Sequence, residues 1–262
     1  MPGQCNTTSS LLAIASNITI QEHKCTRILS SNFNNHSIQT AFSGFDQDAN
    51  VMNAATRYGV DALFRYARAT SITKAEVDSA AFNLNPKLSF YPSPSSKDVD
   101  YNEKIMCETY PKIIEALDEN SDYVFIDTKS GASKLNQLIL TSADVIVICL
   151  NQNRGSLEKY FSEFNFNSEK IFVLLTDYDR EQKFSMKNIR KRFKSLKSSN
   201  SAVLPHCSAF SDALNVGKLF NWLVINKECK SSSVNYSFVK EMNLVTKKLA
   251  KFTSIRMNGG KR

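Results

Sequence analysis

Two short segments of this 262-residue chain carry the residue types that phosphate and magnesium chemistry requires. The first is Pro2-Gly3-Gln4-Cys5-Asn6-Thr7-Thr8, which leads into apolar residues at helical spacing. Glycine allows close backbone approach to a phosphate, a helix N-terminus offers N–H groups and a positive dipole end, and a Ser or Thr hydroxyl can ligate magnesium. Gly3, Thr7 and Thr8 fit that description, although Gly followed by Thr-Thr also suits an ordinary loop and N-cap. The second segment is Asp122-Tyr123-Val124-Phe125-Ile126-Asp127-Thr128-Lys129-Ser130-Gly131. An acid closing a buried parallel strand, with glycine four residues on, has the spacing of a magnesium-linked carboxylate and an amide that meets a terminal phosphate. Asp127 and Gly131 are the candidates there; the plainer reading is a strand that ends in a polar turn.

Charge points to a different kind of chemistry. The formal net charge is +8, but it is unevenly spread. Residues 1–179 sum to −6, residues 180–197 to +7, residues 198–229 to zero and residues 230–262 to +7. Such asymmetry favours an anionic partner at one face, either nucleic acid or membrane. The first basic block holds Lys187, Arg190, Lys191, Arg192 and Lys194, interleaved with Ile189, Phe193 and Leu196. One side of that helix can dock while the other contacts phosphates, which suffices for non-specific DNA binding. The second block holds Lys240, Lys247, Lys248 and Lys251 around the stripe Phe238, Met242, Val245, Leu249 and Phe252. Residues 235–252 would serve as an interfacial membrane helix or, more simply, as a helix docked on a sheet.

The elements that must position these residues follow from periodicity. Tyr123–Ile126, Val145–Leu150 and Ile171–Leu175 are continuous apolar runs, the signature of strands covered on both faces. Helical patterns at about 132–141 and 155–164 lie between them, so strand and helix alternate. A first helix is expected at about 7–19, a strand at 27–30, and short helices at 37–43, 47–56, 59–69 and 73–80. A strand at 88–92, a helix at 103–117, a basic helix at 185–196, a strand near 202–204 and helices at 211–226 and 235–252 complete the series. The expected class is α/β, with a mostly parallel central sheet and helices on both faces. The apolar share of 42% and charged share of 22% suit a folded core. No apolar run reaches the roughly 18 residues of a membrane span. The six cysteines are scattered without CxxC pairs, so zinc and disulfide frameworks are not expected and a reducing cytoplasm is. No secretory leader is read at Met1 to Cys5.

Taken with Ala143-Asp144-Val145 through Asn151-Gln152 and with Phe210-Ser211-Asp212-Ala213 through Gly217-Lys218, the two phosphate-type segments resemble the ParA/MinD-type P-loop ATPases. The resemblance runs from residue 2 to about 225. It is nearest to divergent members carried by mobile elements or acting as polar-localisation factors. It implies a P-loop ATPase-like domain over 1–230, followed by a basic helix and tail over 231–262. It implies ATP and Mg2+ as cofactors, with Gly3, Gln4, Asn6, Thr7, Thr8 and Gly131 at the nucleotide and Thr7 and Asp127 at the metal. Partition or positioning of DNA or of a protein complex is the implied role, with nucleotide-dependent homodimers, non-specific DNA contact through 180–197 and a protein partner.

The departures from that family are chemical. Asn6 stands where its loop lysine belongs, and the additional lysine before the glycine pair would fall at Met1. The aspartates after the second strand are replaced by Ser30 and Asn32, and Thr176-Asp177-Tyr178-Asp179 lacks the usual base-reading asparagine. Phosphoryl transfer depends on positioned positive charge, so ATP turnover is expected to be very slow or lost. Lys129 is the one candidate for a substitute cation. The alternative is a non-enzymatic scaffold that keeps the fold and binds a partner. A phosphate loop also normally follows a strand, and residue 2 leaves no room for one. The first, central strand is therefore expected to be missing or truncated, with exposed sheet edges as the result.

Overall fold

The computed structural model describes residues 5–32, 36–43, 58–69, 71–93, 103–128, 131, 133–163 and 169–259. Among them the helices are α1 Thr7–Glu22, α2 Ser37–Ser43, α3 Gly59–Ala69, α4 Lys74–Ala80, α5 Glu103–Asp118 and α6 Lys134–Ser142. They continue with α7 Arg154–Glu163, α8 Met186–Arg192, α9 Ser208–Asn215, α10 Leu219–Ile225 and α11 Tyr236–Gly259. The strands are β1 Thr26–Ser30, β2 Phe82–Asn85, β3 Leu88–Phe90, β4 Tyr123–Asp127, β5 Ile146–Asn151, β6 Ile171–Thr176 and β7 Ser201–Val203. The class is α/β, as expected. The helix expected at 47–56 lies outside the described residues.

Among the described residues the strands pair in the orders β2-β3-β1-β4 and β5-β6-β7. Every pairing is parallel except the β2–β3 hairpin. The chain divides accordingly into two compact units. One contains Met1–Ile14, Ala143–Ala209 and Asn226–Arg262; the other contains Ala15–Ser142 and Phe210–Ile225. The C-terminal helix thus shares a unit with the three-stranded sheet.

In that unit β6 is buried from Phe172 to Thr176. Its side chains alternate between faces, as strand geometry requires. Val173 and Leu175 pack with Leu157, Met186, Ile189 and Leu196, from α7, α8 and the turn after α8. Phe172 meets Phe252 of α11 edge-on at 5.6 Å. Phe238, Met242, Val245, Leu249 and Phe252 are all buried. The apolar stripe of α11 is therefore consumed by the core of its own unit, and the membrane reading loses the face it needed.

In the other unit every residue of β1 is buried, with Leu29 and Tyr91 facing a core built from α3, α5 and α6. Phe42, Phe82 and Phe90 cluster elsewhere in this unit, with Phe42 stacked on Phe90 at 5.4 Å. Thr73 and Glu76 form a reciprocal capping box that starts α4. Arg27, only 8% exposed, binds Asp78 at 2.7 Å and also Ser89.

Three elements differ from expectation. The β2–β3 hairpin was not anticipated; its turn is set by Asn85, whose Oδ1 accepts from the Lys87 and Leu88 amides at 2.7 Å. The helix expected at 211–226 is two helices. At their junction the Lys218 amide bonds Ala213 O at 2.9 Å and the Gly217 amide bonds Leu214 O at 3.3 Å. With φ +68 at Gly217, this is a Schellman stop. The basic helix ends at Arg192 instead of 196, where Phe193 leaves helical geometry and stacks on Phe161 at 4.3 Å.

Candidate functional site

The start of α1 is tied to the C-terminal ends of β5 and β6. Thr176 Oγ1 lies 3.1 Å from Cys5 O and 3.2 Å from Asn151 Oδ1. The Asn6 side-chain amide donates to the Asp177 carboxylate at 2.5 Å. Asn6 and Asp177 both have left-handed backbones, with φ +47 and +48. Asn and Asp tolerate that conformation best among residues with a Cβ. On its other side Asp177 faces His206 Nδ1 at 3.4 Å, and His206 Nε2 is 3.3 Å from Ser208 Oγ. Gln152 pins the following loop: its amide donates to Asp179 O and Phe184 O, and its carbonyl accepts from the Asp179 amide at 2.9 Å.

The electrostatics run against anion binding at this loop. Where a phosphate loop would place an ammonium group, Asn6 reaches a carboxylate. Burial above all, and also the Asp177 charge, push the Cys5 thiol above its usual range, while a bond to the Asn151 backbone works against them. Thr7 is exposed and Thr8 half-buried in the first turn of α1. Gly3 and Gln4 lie outside the described residues. A carboxylate bonded to the loop repels triphosphate oxygens, so these residues fit the expected nucleotide poorly, and no phosphoryl-transfer step is derived through it.

The second group belongs to the β1–β4 sheet. Asp127 closes β4 and is 4% exposed. Its backbone carbonyl accepts from the Ser31 amide at 2.9 Å, and the Ser30 and Ser31 hydroxyls stand 3.4 Å from the same atom. Ser30 Oγ also accepts from the Asn32 amide at 3.0 Å. The two positions that lack the expected aspartates thus close a local turn. Tyr110 Oη is fully buried and has no hydrogen-bond partner among the described residues. Burial first, and then the Asp127 charge, drive its phenol pKa well up. Gly131 sits at φ +119 with open space where a Cβ would stand, and its carbonyl accepts from Asn136 Nδ2 at 2.8 Å. Lys129 lies outside the described residues.

The basic face takes a different form from the five cations expected. Arg190 turns inward, with Nε on Ser201 Oγ and Nη2 on Ser201 O, both at 3.1 Å. Arg192 pairs with Glu158. Lys187, Lys191 and Lys194 remain exposed. Lys248 of α11 reaches the same Ser201 carbonyl at 3.4 Å. Burial lowers the pKa of Arg190 and of Lys248, and the Arg190 charge lowers Lys248 further. Two basic blocks separated by the 32 neutral-sum residues 198–229 therefore meet at β7. Asp177, His206, Thr176 and Asn151 were not foreseen as anchors. Only the polar residues directly following the β5 and β6 runs hinted at them.

Comparison with known proteins bears on this arrangement. The family model for ATPase MipZ matches residues 61–156. No curated protein matches the chain. Among solved structures, a ParA family ATPase from Chlorobium tepidum superposes with a TM-score of 0.69 at 14% identity, over 94% of this chain and 95% of that one. MinD in the MinC:MinD cell division complex of Aquifex aeolicus gives 0.65 at 13% identity, over 95% and 93%. A putative plasmid partition protein from Borrelia burgdorferi, bound to AMPPNP, gives 0.60 at 12% identity, over 95% and 94%. At such identities the likeness is one of fold: the chain has the α/β fold of the ParA and MinD ATPases. No described helix is long and apolar enough to cross a membrane.

Proposed function

We propose that this chain is a ParA/MinD-like positioning or partition protein whose ATP turnover is lost or greatly reduced. The observation that supports this reading is the Asn6–Asp177 bond, which places a carboxylate where the fold's chemistry calls for a cation. In this reading Asp127 would be the metal-linked acid and Gly131 would offer the phosphate-facing amide, so ATP and Mg2+ remain the ligands to test. Thr7, Thr8, Gly3 and Gln4 would complete that site. The working partner would be a polyanion, with non-specific DNA on Lys187, Lys191 and Lys194, or a protein bound to the same fold. A homodimer is part of the reading. Phosphate release from millimolar MgATP by the full chain should stay at the buffer background, with a thermal shift that is small or nil. A burst or steady release well above background would sink the proposal.

A further inference from the structure

Asp177, His206 and Ser208 form a chain of contacts that the nucleotide reading leaves unused. All three, and Asn6, belong to the same compact unit. Asp177 Oδ1 lies 3.4 Å from His206 Nδ1, and His206 Nε2 lies 3.3 Å from Ser208 Oγ. The order is that of a serine hydrolase relay, with a carboxylate on one ring nitrogen and a hydroxyl on the other. The carboxylate favours the Nδ1–H tautomer, which leaves the Nε2 lone pair to accept the hydroxyl proton. The second oxygen of Asp177, Oδ2, is held by the Asn6 amide.

Backbone bonds fix this geometry. The Leu204 amide bonds Leu175 O at 2.8 Å and the Tyr178 amide bonds Leu204 O at 3.1 Å, so the ends of β6 and β7 stay side by side up to the relay. Leu204, Cys207 and Phe210 are buried, and Cys207 Sγ is bonded to Asn235 Oδ1 at 3.7 Å. His206 and Ser208, set between these anchors, are exposed. Ser208 is also the first residue of α9. The first-turn amides of a helix have no acceptor within it, and its N-terminal end carries the positive pole of the dipole. An oxyanion that forms on a group bonded to Ser208 is stabilised there.

We propose that Ser208 is a nucleophile, activated by His206, for the hydrolysis of small uncharged carboxylic esters. Asp177 and Asn6 are positioning residues. Ser208 Oγ bonds the ester carbonyl carbon, its proton passes to His206 Nε2, and the carbonyl pair moves onto oxygen. When that pair returns, the bond to the alcohol oxygen breaks and the alcohol leaves with the proton from Nε2. Water, deprotonated by the same nitrogen, then attacks acyl-Ser208, the acid departs and Oγ regains its proton. The His206 and Asp177 side chains are 63% and 44% exposed, so a bulky acyl group gains little burial, and the Asp177 charge disfavours an anionic one. This chemistry needs no ATP, so its failure would leave the nucleotide reading untouched.

The test uses the full chain with 4-nitrophenyl acetate, and separately with a fluorophosphonate whose adduct is located by peptide mass spectrometry. Steady turnover beyond the first acylation and one adduct, on Ser208, are expected. Ser208→Ala and His206→Ala should each lower kcat/KM at least about tenfold and abolish that adduct. Both side chains are exposed, so the circular dichroism of each variant should match the parent. Asp177→Asn should lower kcat by a similar factor at unchanged KM, a split that a merely structural role would not give. Ser208→Ala that turns over as fast as the parent overturns the proposal, because a surface imidazole or amine would then be the nucleophile. So does an adduct on another residue, an adduct on Ser208 that persists in His206→Ala, or a parent chain without turnover.

Discussion

At Asn6 one side chain decides what the loop can hold. Its amide satisfies Asp177, and Asp177 in turn faces His206. Restoring a lysine alone should fail, because Asn6→Lys would form an ion pair with Asp177 and present little free charge. The double variant Asn6→Lys with Asp177→Asn should instead gain a thermal shift with MgATP that neither single variant shows; differential scanning fluorimetry reads it. Asp122 offers a second residue-scale prediction. The Cys25 backbone amide at 2.7 Å, and then Lys24, hold its carboxyl below the usual range. A depressed folded pKa contributes stability above the unfolded value of about 3.9, and that contribution is lost as pH falls through the folded value. Asp122→Asn should therefore lower Tm at pH 7 and flatten the acid limb of a Tm-against-pH curve below about pH 4.

Among the elements, the break between α9 and α10 is the most directly testable. Gly217 adopts a left-handed conformation that a Cβ disfavours, so Gly217→Ala should cost about 1 kcal/mol in a urea melt. The same break turns Phe210 onto Trp222 at 5.7 Å, which makes Trp222 fluorescence a local readout. The helix starts and strand runs were readable in advance because apolar period is a local property of the chain. α3 appears at 59–69 as anticipated, and α1, α5, α7 and β4 to β7 agree to within a few residues. The misreadings have local causes too. Gly217 lies inside an otherwise helical pattern that carries no periodic sign of a stop, and Asn85-Pro86 marks a turn whose flanking runs are too short to show strand alternation.

For the molecule as a whole, the meeting of two basic blocks at Ser201 changes which charges count. Arg190 and Lys248 serve the β7 end, whereas Lys187, Lys191 and Lys194 are free to meet a polyanion. A gel shift with non-specific duplex DNA should fade with salt. Changing those three lysines to glutamate should abolish it, and each single loss should flatten the log–log salt slope by about 0.9. Arg190→Ala should leave that slope unchanged while lowering stability by about 1 kcal/mol through its lost bonds. A slope that responds to Arg190 but not to the lysines would reject this assignment.

The α/β class, most elements and the acidic body with its basic blocks were decidable from the chain alone. Each depends on residue type, spacing or short-range period, and these are complete in one dimension. Other features needed three dimensions. Asp177 became the partner of Asn6 across 171 positions, and Arg190 and Lys248 converged on one carbonyl. The stripe of α11 turned out to be core, and among the described residues the strand pairing set which runs lie side by side. Pairing, burial and the direction of a charge depend on contacts between distant residues. A hydrophobic period shows that a face will be covered, and only packing shows what covers it.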